Sequence, residues 1–370
     1  MKKILLGTSA IIAMAAMGAS AHVRDGLVDS SPTRFELTIA GEVSSYVGYT
    51  SVSAEDADGN ELFDEDYFGQ DYSADIDFIA KTHVRDWEIE ARVELDYNSN
   101  NSFDADEIYM DFTKANIGTF RLGRGPAPSD MISLEAALPG ENWDDVGAIN
   151  NSFGLGGVFG GLDNSRFADD ANQIGYYSPK FGDMFQFGIA YIFETEDNLD
   201  NDALANSTDD DAVEVAAKFE KEFSGFNFGV SGAYRYFFDQ DEVEDFAEKS
   251  DQWTVGLVLG YMGFNWTTTY GETSYVDVDA YDWGVRTAVT YAWDRWEAGV
   301  AYETGAQYQS SDETTKTSLV EAGLSFHVFD GMDVHGALAY AWSDHDENAA
   351  TAADWSADAF QVRTGIDLSW

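Results

Sequence analysis

The stretch Trp87–Tyr97, WEIEARVELDY, alternates apolar and charged residues along its whole length. Every odd-numbered position is apolar or aromatic, and every even-numbered position carries a charge. Because successive side chains of a β-strand point to opposite faces, this period of two predicts a strand with one apolar and one charged face. A similar alternation recurs at 226–236 and 281–291, and it dominates the chain from residue 33 onwards. The sequence therefore predicts an all-β protein.

The composition is strongly acidic and rich in aromatic residues. The 370 residues include 20 Lys and Arg against 68 Asp and Glu, which gives a formal net charge of −48 at pH 7. Nucleic acid is excluded as a partner, because its phosphates would be repelled and no basic stripe is present. The 25 Phe, 19 Tyr and 10 Trp need burial or anchoring, which argues against a disordered acidic chain. Without Cys, the chain holds neither disulfides nor thiolate metal sites.

The first 21 residues have the pattern of a secretory signal peptide. Two lysines precede an apolar run at 4–17, and the tripeptide ASA at 19–21 forms a small-residue cleavage site. An uncleaved membrane anchor is the alternative, but the run is short and small residues follow it directly. No later stretch reaches the roughly 18 consecutive apolar residues of a transmembrane helix. We therefore expect residues 22–370 to be exported as a single domain, either secreted or crossing a membrane as strands.

Turn signals divide the mature chain into sixteen predicted strands. They lie at 34–50, 71–83, 86–98, 104–113, 117–124, 172–179, 183–193, 211–223, 225–238, 251–262, 264–275, 280–292, 295–308, 316–328, 332–343 and 358–370. Connections after odd-numbered strands are mostly long and acidic, as at 51–70, 125–171, 194–210, 239–250 and 344–357. Connections after even-numbered strands are tight turns, as at 84–85, 114–116, 224, 263 and 329–331.

This separation of long loops from short turns is typical of an outer-membrane barrel and has no basis in a β-sandwich. In hydrocarbon every backbone group needs an internal partner, so such a sheet must close on itself. Aromatic residues crowd the strand ends, where they suit girdles at the two membrane interfaces, and the alternative is the core of a soluble β domain. These residues are Trp87, Tyr97, Trp253, Tyr261, Trp293, Trp296, Tyr340 and Trp342.

Three stretches resemble the general porins of Gram-negative bacteria, of the alphaproteobacterial kind. The segment IGTFRLGRG at 117–125 is similar to the end of the fifth porin strand and the start of the third external loop. The segment NQIGYYSPKFGDMFQFGIAY at 172–191 is similar to the stretch that leaves this loop. The terminal GIDLSW at 365–370 resembles the C-terminal signature of outer-membrane barrels. In layout the resemblance covers essentially the whole mature chain.

The resemblance implies a 16-stranded antiparallel transmembrane β-barrel whose third extracellular loop folds inward and constricts the pore. In this chain that loop is 125–171, the longest connection, and structureless connections of such length are usually functional. Its segment GLGGVFGGL at 154–162 is small and apolar, unlike the acidic loops elsewhere. We therefore expect an outer-membrane porin that passes small hydrophilic solutes and ions by diffusion.

The resemblance also implies a constriction in which loop carboxylates face basic residues of the barrel wall. Glu141, Asp144 and Asp145 resemble the loop-tip acids of the family, and Asp130 and Glu135 complete the predicted acidic set. Opposed charges across a narrow pore produce a transverse field that orders water and dipolar solutes. For each of these residues a solvated loop charge is the alternative.

The predicted basic residues come from the resemblance and from strand alternation. Arg124 stands at the family's Gly-Arg position, and alternation places Lys81, Arg92 and Arg121 on the face that points into the lumen. Family members often have Arg at the position of Gly175, so part of the basic wall is either absent here or supplied by Arg166. A less basic constriction, together with the net charge of −48, favours cations.

The C-terminal stretch is the predicted closing strand. Phe360, Ile366, Leu368 and Trp370 alternate outward, and by resemblance they form the signal that the barrel-assembly machinery reads. This strand must pair with the first strand near 35–49, because a free edge cannot face lipid. The expected partners are this machinery, outer-membrane lipid, lipopolysaccharide and, by resemblance, two further copies in a homotrimer.

No cofactor and no dedicated metal site are predicted. The acidic stretch DADGNELFDED at 56–66 resembles a calcium loop, but its Gly is fourth instead of sixth and no Glu is twelfth, so we expect only loose divalent binding. No catalytic constellation is present, which makes an enzyme the least favoured class. A substrate-specific porin and a structural or adhesive barrel with a plugged lumen stay open as alternatives.

Overall fold

The computed structural model describes residues 35–97, 103–134, 138, 170–194, 211–238, 249–275, 281–310, 313–347 and 355–370. The signal peptide predicted at 1–21 lies outside this part of the chain. Five residues of the predicted constriction lie outside it as well: Glu135, Glu141, Asp144, Asp145 and Arg166.

Sixteen strands form almost all of the described chain, which confirms the predicted all-β architecture. They are β1 (Phe35–Asp56), β2 (Glu61–Val84), β3 (Trp87–Tyr97), β4 (Phe103–Lys114), β5 (Gly118–Pro126), β6 (Asp170–Tyr177), β7 (Phe185–Glu194), β8 (Ala212–Phe223), β9 (Phe226–Phe237), β10 (Lys249–Tyr261), β11 (Phe264–Tyr275), β12 (Tyr281–Trp293), β13 (Trp296–Ser310), β14 (Glu313–Phe329), β15 (Met332–Glu347) and β16 (Trp355–Ser369). A short helix, α1 (Pro128–Ile132), follows β5.

The sheet is a closed antiparallel barrel. Each strand pairs with its neighbours in sequence, and β1 also pairs with β16. Closure gives every strand two hydrogen-bonded neighbours, which is what a sheet in hydrocarbon requires. Among the described residues, no helix has the length and apolar character needed to cross a bilayer.

Alternation along the strands separates an apolar outer face from a polar inner face. On β8 and β9, Val215 and Val230 are exposed on the outside, whereas the adjacent Glu214 and Ser231 are buried on the inside. Apolar side chains on the outside of a barrel have lipid as their solvent, so their exposure costs nothing there. The same alternation places the polar and charged strand residues on the inner wall.

The first hairpin differs from the prediction of an acidic loop at 51–70. β1 continues to Asp56 and β2 begins at Glu61, so most of this stretch is paired strand. The Asp56 carboxylate closes the turn by accepting the backbone N–H groups of Asp58 and Asn60 at 3.0 and 2.8 Å. Since about 9–11 residues suffice to cross a bilayer, the 22 residues of β1 extend into water, where acidic strand residues are solvated. The prediction of a loop at 51–70 was therefore wrong, because an acidic composition also occurs in strands that extend into water.

Aromatic side chains form contacts near both ends of the barrel. Pairs at the short-turn end include Trp87–Phe120, Phe120–Tyr176, Phe264–Tyr291 and Trp296–Phe326. Pairs towards the long-loop end include Tyr72–Tyr97, Trp253–Tyr270 and Tyr302–Trp342. Two such belts match the interfaces of a membrane, where an aromatic ring meets both lipid and water.

The C-terminus closes the barrel as predicted. The backbone N–H of Trp370 donates to the carbonyl of Gly41 at 3.1 Å, and the N–H of Gly41 donates back at 3.3 Å. A Cβ at Gly41 would lie 2.8 Å from the Trp370 ring, so this glycine makes room for the indole. The seam then continues from Glu42 opposite Ser369 along the whole of β16.

Candidate functional site: the inner wall of the barrel

The chain that leaves β5 lies against the inner wall. Pro128 and Ile132 of α1 pack on β7 at Gly188, where an added Cβ would lie 3.1 and 2.9 Å from them. Leu134 follows, and Leu138 belongs to a buried cluster with alanines of β12 and β13. The described start of the third connection, 127–134 and 138, therefore runs inside the barrel. The path of 139–169 lies outside the described residues.

Arg92 lies on the inner wall within a group of carboxylates. Its guanidinium contacts Asp77 at 2.6 Å, Glu94 at 2.5 Å and Glu107 at 3.1 Å. Its side chain is 27% exposed, so the group borders water. Three carboxylates around one guanidinium leave this part of the wall negative.

Lys81 also has the inward face that alternation predicts. Its ammonium lies 2.6 Å from Glu90, which stands opposite it in the ladder between β2 and β3. Lys81 is three residues from the end of β2, close to the short-turn end of the barrel. Its charge is thus both paired and distant from the start of the third connection.

Arg121 lies on the inner side but is enclosed. It forms two parallel bonds of 2.9 Å with Asp111 on β4, and its side chain is 3% exposed. The guanidinium lies 3.8 Å from the ring centre of Tyr109 and 5.3 Å from that of Tyr177. It also donates to the carbonyl of Pro126, where the third connection begins. Arg121 therefore joins three strands and presents almost no charge to water.

Arg124 lies near the end of β5, next to the start of the third connection. In the ladder it stands opposite Ile108 on β4. Its guanidinium lies 3.3 Å from Asp106. Its side chain is 12% exposed, and Gly123 before it has a φ of 122°, so the regular alternation of β5 is interrupted at this point.

Acidic groups of β2 and β3 come together on the inner wall. Asp75, Glu94 and Asp96 each offer a carboxylate oxygen within 4.8 Å of the others, close enough for one cation to be shared. Oxygen ligands of this kind suit Mg²⁺ or Ca²⁺. Of the predicted loop acids only Asp130 is described, and it is exposed in the first turn of α1.

The sequence matches the family model described as Gram-negative porin over residues 7–355. The chain belongs to the Gram-negative porin family. Porins are channel proteins of the outer membrane, so the barrel is an outer-membrane channel whose inner wall borders the path of diffusion. No curated protein sequence matches the chain.

Solved porin structures share the barrel. The anion-selective porin from Comamonas acidovorans is 16% identical, with a TM-score of 0.63 over 91% of this chain and 100% of that one. OmpF of Salmonella typhi, solved with daunomycin, is 16% identical, with a TM-score of 0.55 over 90% and 97%. The trimer form of OmpT, an outer membrane protein of Vibrio cholerae, is 14% identical, with a TM-score of 0.53 over 89% and 99%. At these identities the similarity concerns the fold.

The porin wall contains a buried charge network that the sequence-based prediction did not include. Glu321 on β14 lies between two arginines, 3.7 Å from Arg286 and 3.0 Å from Arg363. Arg286 on β12 also contacts Glu303 on β13 at 3.2 Å. All four side chains are nearly inaccessible to water. The network joins β12, β13, β14 and β16 and is balanced in charge.

A second buried pair of this porin, Glu214 on β8 and Arg235 on β9, was also missed. Counting back from a two-residue turn would have found this pair and the Arg286–Glu303 pair of the network, because such a turn fixes the register of a hairpin. Phe223 opposite Phe226 places Glu214 opposite Arg235, and the turn after Trp293 places Arg286 opposite Glu303 in the same way. Charge complementarity across a tight hairpin was the available signal.

Proposed function

We propose that this porin passes small hydrophilic solutes and ions by passive diffusion and prefers cations. The observation that supports the preference is the charge of the inner wall on β2 and β3. Carboxylates there outnumber the two cationic side chains, Lys81 and Arg92, each of which is held by a carboxylate. The acidic residues that share this face are Asp75, Asp77, Glu88, Glu90, Glu94 and Asp96.

The physical basis of the preference is the accumulation of counter-ions. Carboxylates along a water-filled path with low-dielectric walls concentrate the field and raise the local cation concentration. The buried network around Glu321 adds no net charge, because it contains two arginines and two glutamates. The wall on β2 and β3 is therefore negative where it borders water. Loose binding of divalent cations by Asp75, Glu94 and Asp96 is part of the same proposal.

Assembly and surroundings are also proposed. The relative solved in a trimer form supports a homotrimer for this chain. The apolar outer face and aromatic belts fit outer-membrane lipid, with lipopolysaccharide on the long-loop side. Export through cleavage after residue 21 and recognition of Trp370 by the barrel-assembly machinery complete the proposal.

Planar-bilayer recording of the purified porin tests this function. We expect steps of conductance that rise with KCl concentration without saturation, and a reversal potential in a KCl gradient that has the sign for K⁺ over Cl⁻. Saturating conductance would favour the substrate-specific alternative, and an anion-selective reversal potential would overturn the proposed preference. Absence of conductance from correctly folded protein would support the plugged structural barrel instead.

A further inference from the structure

One carboxylate on the inner wall bonds to both the barrel and the third connection. Glu214 on β8 is fully buried, and its Oε1 accepts the backbone N–H of Ser129 in α1 at 2.5 Å. Its Oε2 accepts Nε of Arg235 on β9 at 2.6 Å and lies 2.5 Å from Nη2 of the same residue. Glu214 therefore joins the start of the connection to a buried arginine of the wall.

The connection is seated beside this pair in a groove of small residues. The backbone N–H of Leu134 donates to Oγ of Ser231 at 2.9 Å. A Cβ at Gly229 would lie 2.7 Å from the Leu134 side chain, and one at Gly256 would overlap the Leu134 carbonyl. Inward-facing glycines thus leave a track for the chain from 128 to 134. Because these contacts are close, the backbone from 128 to 134 can follow only one path along the wall, and this path begins at the contact with Glu214.

We propose that Glu214 and Arg235 form a latch that positions the third connection inside the barrel. A five-residue helix has little stability of its own, so α1 needs tertiary contacts to stay in place. A buried carboxylate is tolerated only with a counter-charge, and Arg235 supplies it. Arg235 is thus a positioning residue that acts through Glu214, and Glu214 fixes where the start of the connection, from Ser129 to Leu134, lies on the wall.

The latch has little effect on the stability of the barrel. Buried ion pairs contribute little net stability compared with apolar residues of similar volume, so the two strands would stay paired without these charges. The backbone N–H of Ser129, in contrast, would lose its acceptor. This distinguishes a latch from an ordinary wall contact: removing both charges should release the connection and leave the barrel folded.

Thiol labelling tests the latch directly, because the chain contains no Cys. Ser129→Cys places a thiol at a position that is 3% exposed, and a charged methanethiosulfonate reagent should modify it slowly. In the Glu214→Met background, which removes both the charge and the acceptor, we expect labelling at this position to become at least about tenfold faster, since the group would spend more time exposed to water. Ser343→Cys on β15, at a position that is 1% exposed, is the matched control and should label equally slowly in both backgrounds.

A second variant separates the latch from general loosening. Glu214→Leu with Arg235→Met removes both charges, and its folding is checked by the shift between unheated and boiled samples on a detergent gel. We expect this variant to fold, to label rapidly at the thiol introduced at position 129 and, given the proposed function, to lose the single steady conductance level of the parent. Unchanged labelling at position 129 in both backgrounds would overturn the latch, as would equal acceleration at position 343. Labelling needs no current, so it is independent of the proposed conduction.

Discussion

At the scale of single residues, Asp86 and Lys114 form an ion pair at a turn on the short-turn end of the barrel. The Lys114 ammonium donates to the Asp86 carboxylate and lowers the pKa of that carboxyl below its ordinary value. A lowered folded-state pKa means that the pair stabilises the fold above the ordinary Asp pKa of about 3.9. This contribution is lost as the pH falls through the lowered value.

We therefore expect Asp86→Asn to be slightly less stable than the parent at pH 7 and equally stable once the parent carboxyl is protonated. The difference is small because the pair is exposed to water. Urea midpoints of refolded protein in detergent, measured from pH 7 to pH 2, check this. In a Lys114→Met background the Asp86→Asn change should have a smaller effect, because only the backbone N–H of Asp86 and the charge of Arg85 then favour the carboxylate. A parent advantage that persists at pH 2 would contradict the linkage.

Residue orientation was predictable from the sequence, but residue burial was not. The strand period gives Lys81, Arg92 and Arg121 their inner face. That Arg121 is enclosed could not be predicted, because its cover comes from Tyr109 and Tyr177 on neighbouring strands. Alternation describes one strand, whereas burial depends on what neighbouring strands and the third connection place over it.

At the scale of strands, Arg121 links β4, β5 and β6. Its bidentate contact with Asp111 is almost completely shielded from water. Removing one partner of such a pair leaves an uncompensated buried charge, whereas replacing both with apolar residues does not. We expect Arg121→Met to destabilise the barrel by roughly 3–5 kcal/mol and Arg121→Met with Asp111→Leu to recover most of that loss.

Urea unfolding at pH 7 measures the stability, and a reversal potential in a KCl gradient measures the charge seen by ions. The double variant should keep the reversal potential of the parent, because the pair is neutral as a unit and hidden from water. A double variant as unstable as Arg121→Met would contradict the ion-pair account. A changed reversal potential would show that ions sense the charge of Arg121, as expected for a residue of the constriction.

Strand number and order were predictable, whereas the length of the first hairpin was not. Sixteen alternating stretches separated by turns are enough to predict a closed barrel, because lipid forbids free edges. The sequence at 51–70 is acidic and was predicted to be a loop, yet it is mostly paired. The composition of a segment depends on whether water or lipid surrounds it. A strand that projects into water can therefore be as acidic as a loop, and composition does not distinguish the two.

At the scale of the whole molecule, charge selectivity is the sum of wall and loop charges. The wall acids Glu94 and Asp96 border the lumen, and the loop acids Asp144 and Asp145 are predicted to face it. A charge about 8 Å from an ion in water contributes about 0.5 kcal/mol before screening, so removing a pair of charges changes the energy of a cation by about 1 kcal/mol, roughly a fivefold change in its local concentration.

We expect Glu94→Gln with Asp96→Asn, and separately Asp144→Ala with Asp145→Ala, to lower the K⁺ to Cl⁻ permeability ratio of the porin. The effect should shrink from 0.1 M to 1 M KCl, because the Debye length falls from about 10 Å to about 3 Å. Asp330→Asn is the control, since this residue is fully exposed in the turn between β14 and β15 and its charge is remote from the inner wall. Reversal potentials in matched KCl gradients measure all three. If Glu94→Gln with Asp96→Asn leaves the permeability ratio unchanged, these acids of β3 do not determine the selectivity. If Asp144→Ala with Asp145→Ala leaves it unchanged, these two residues do not belong to the constriction.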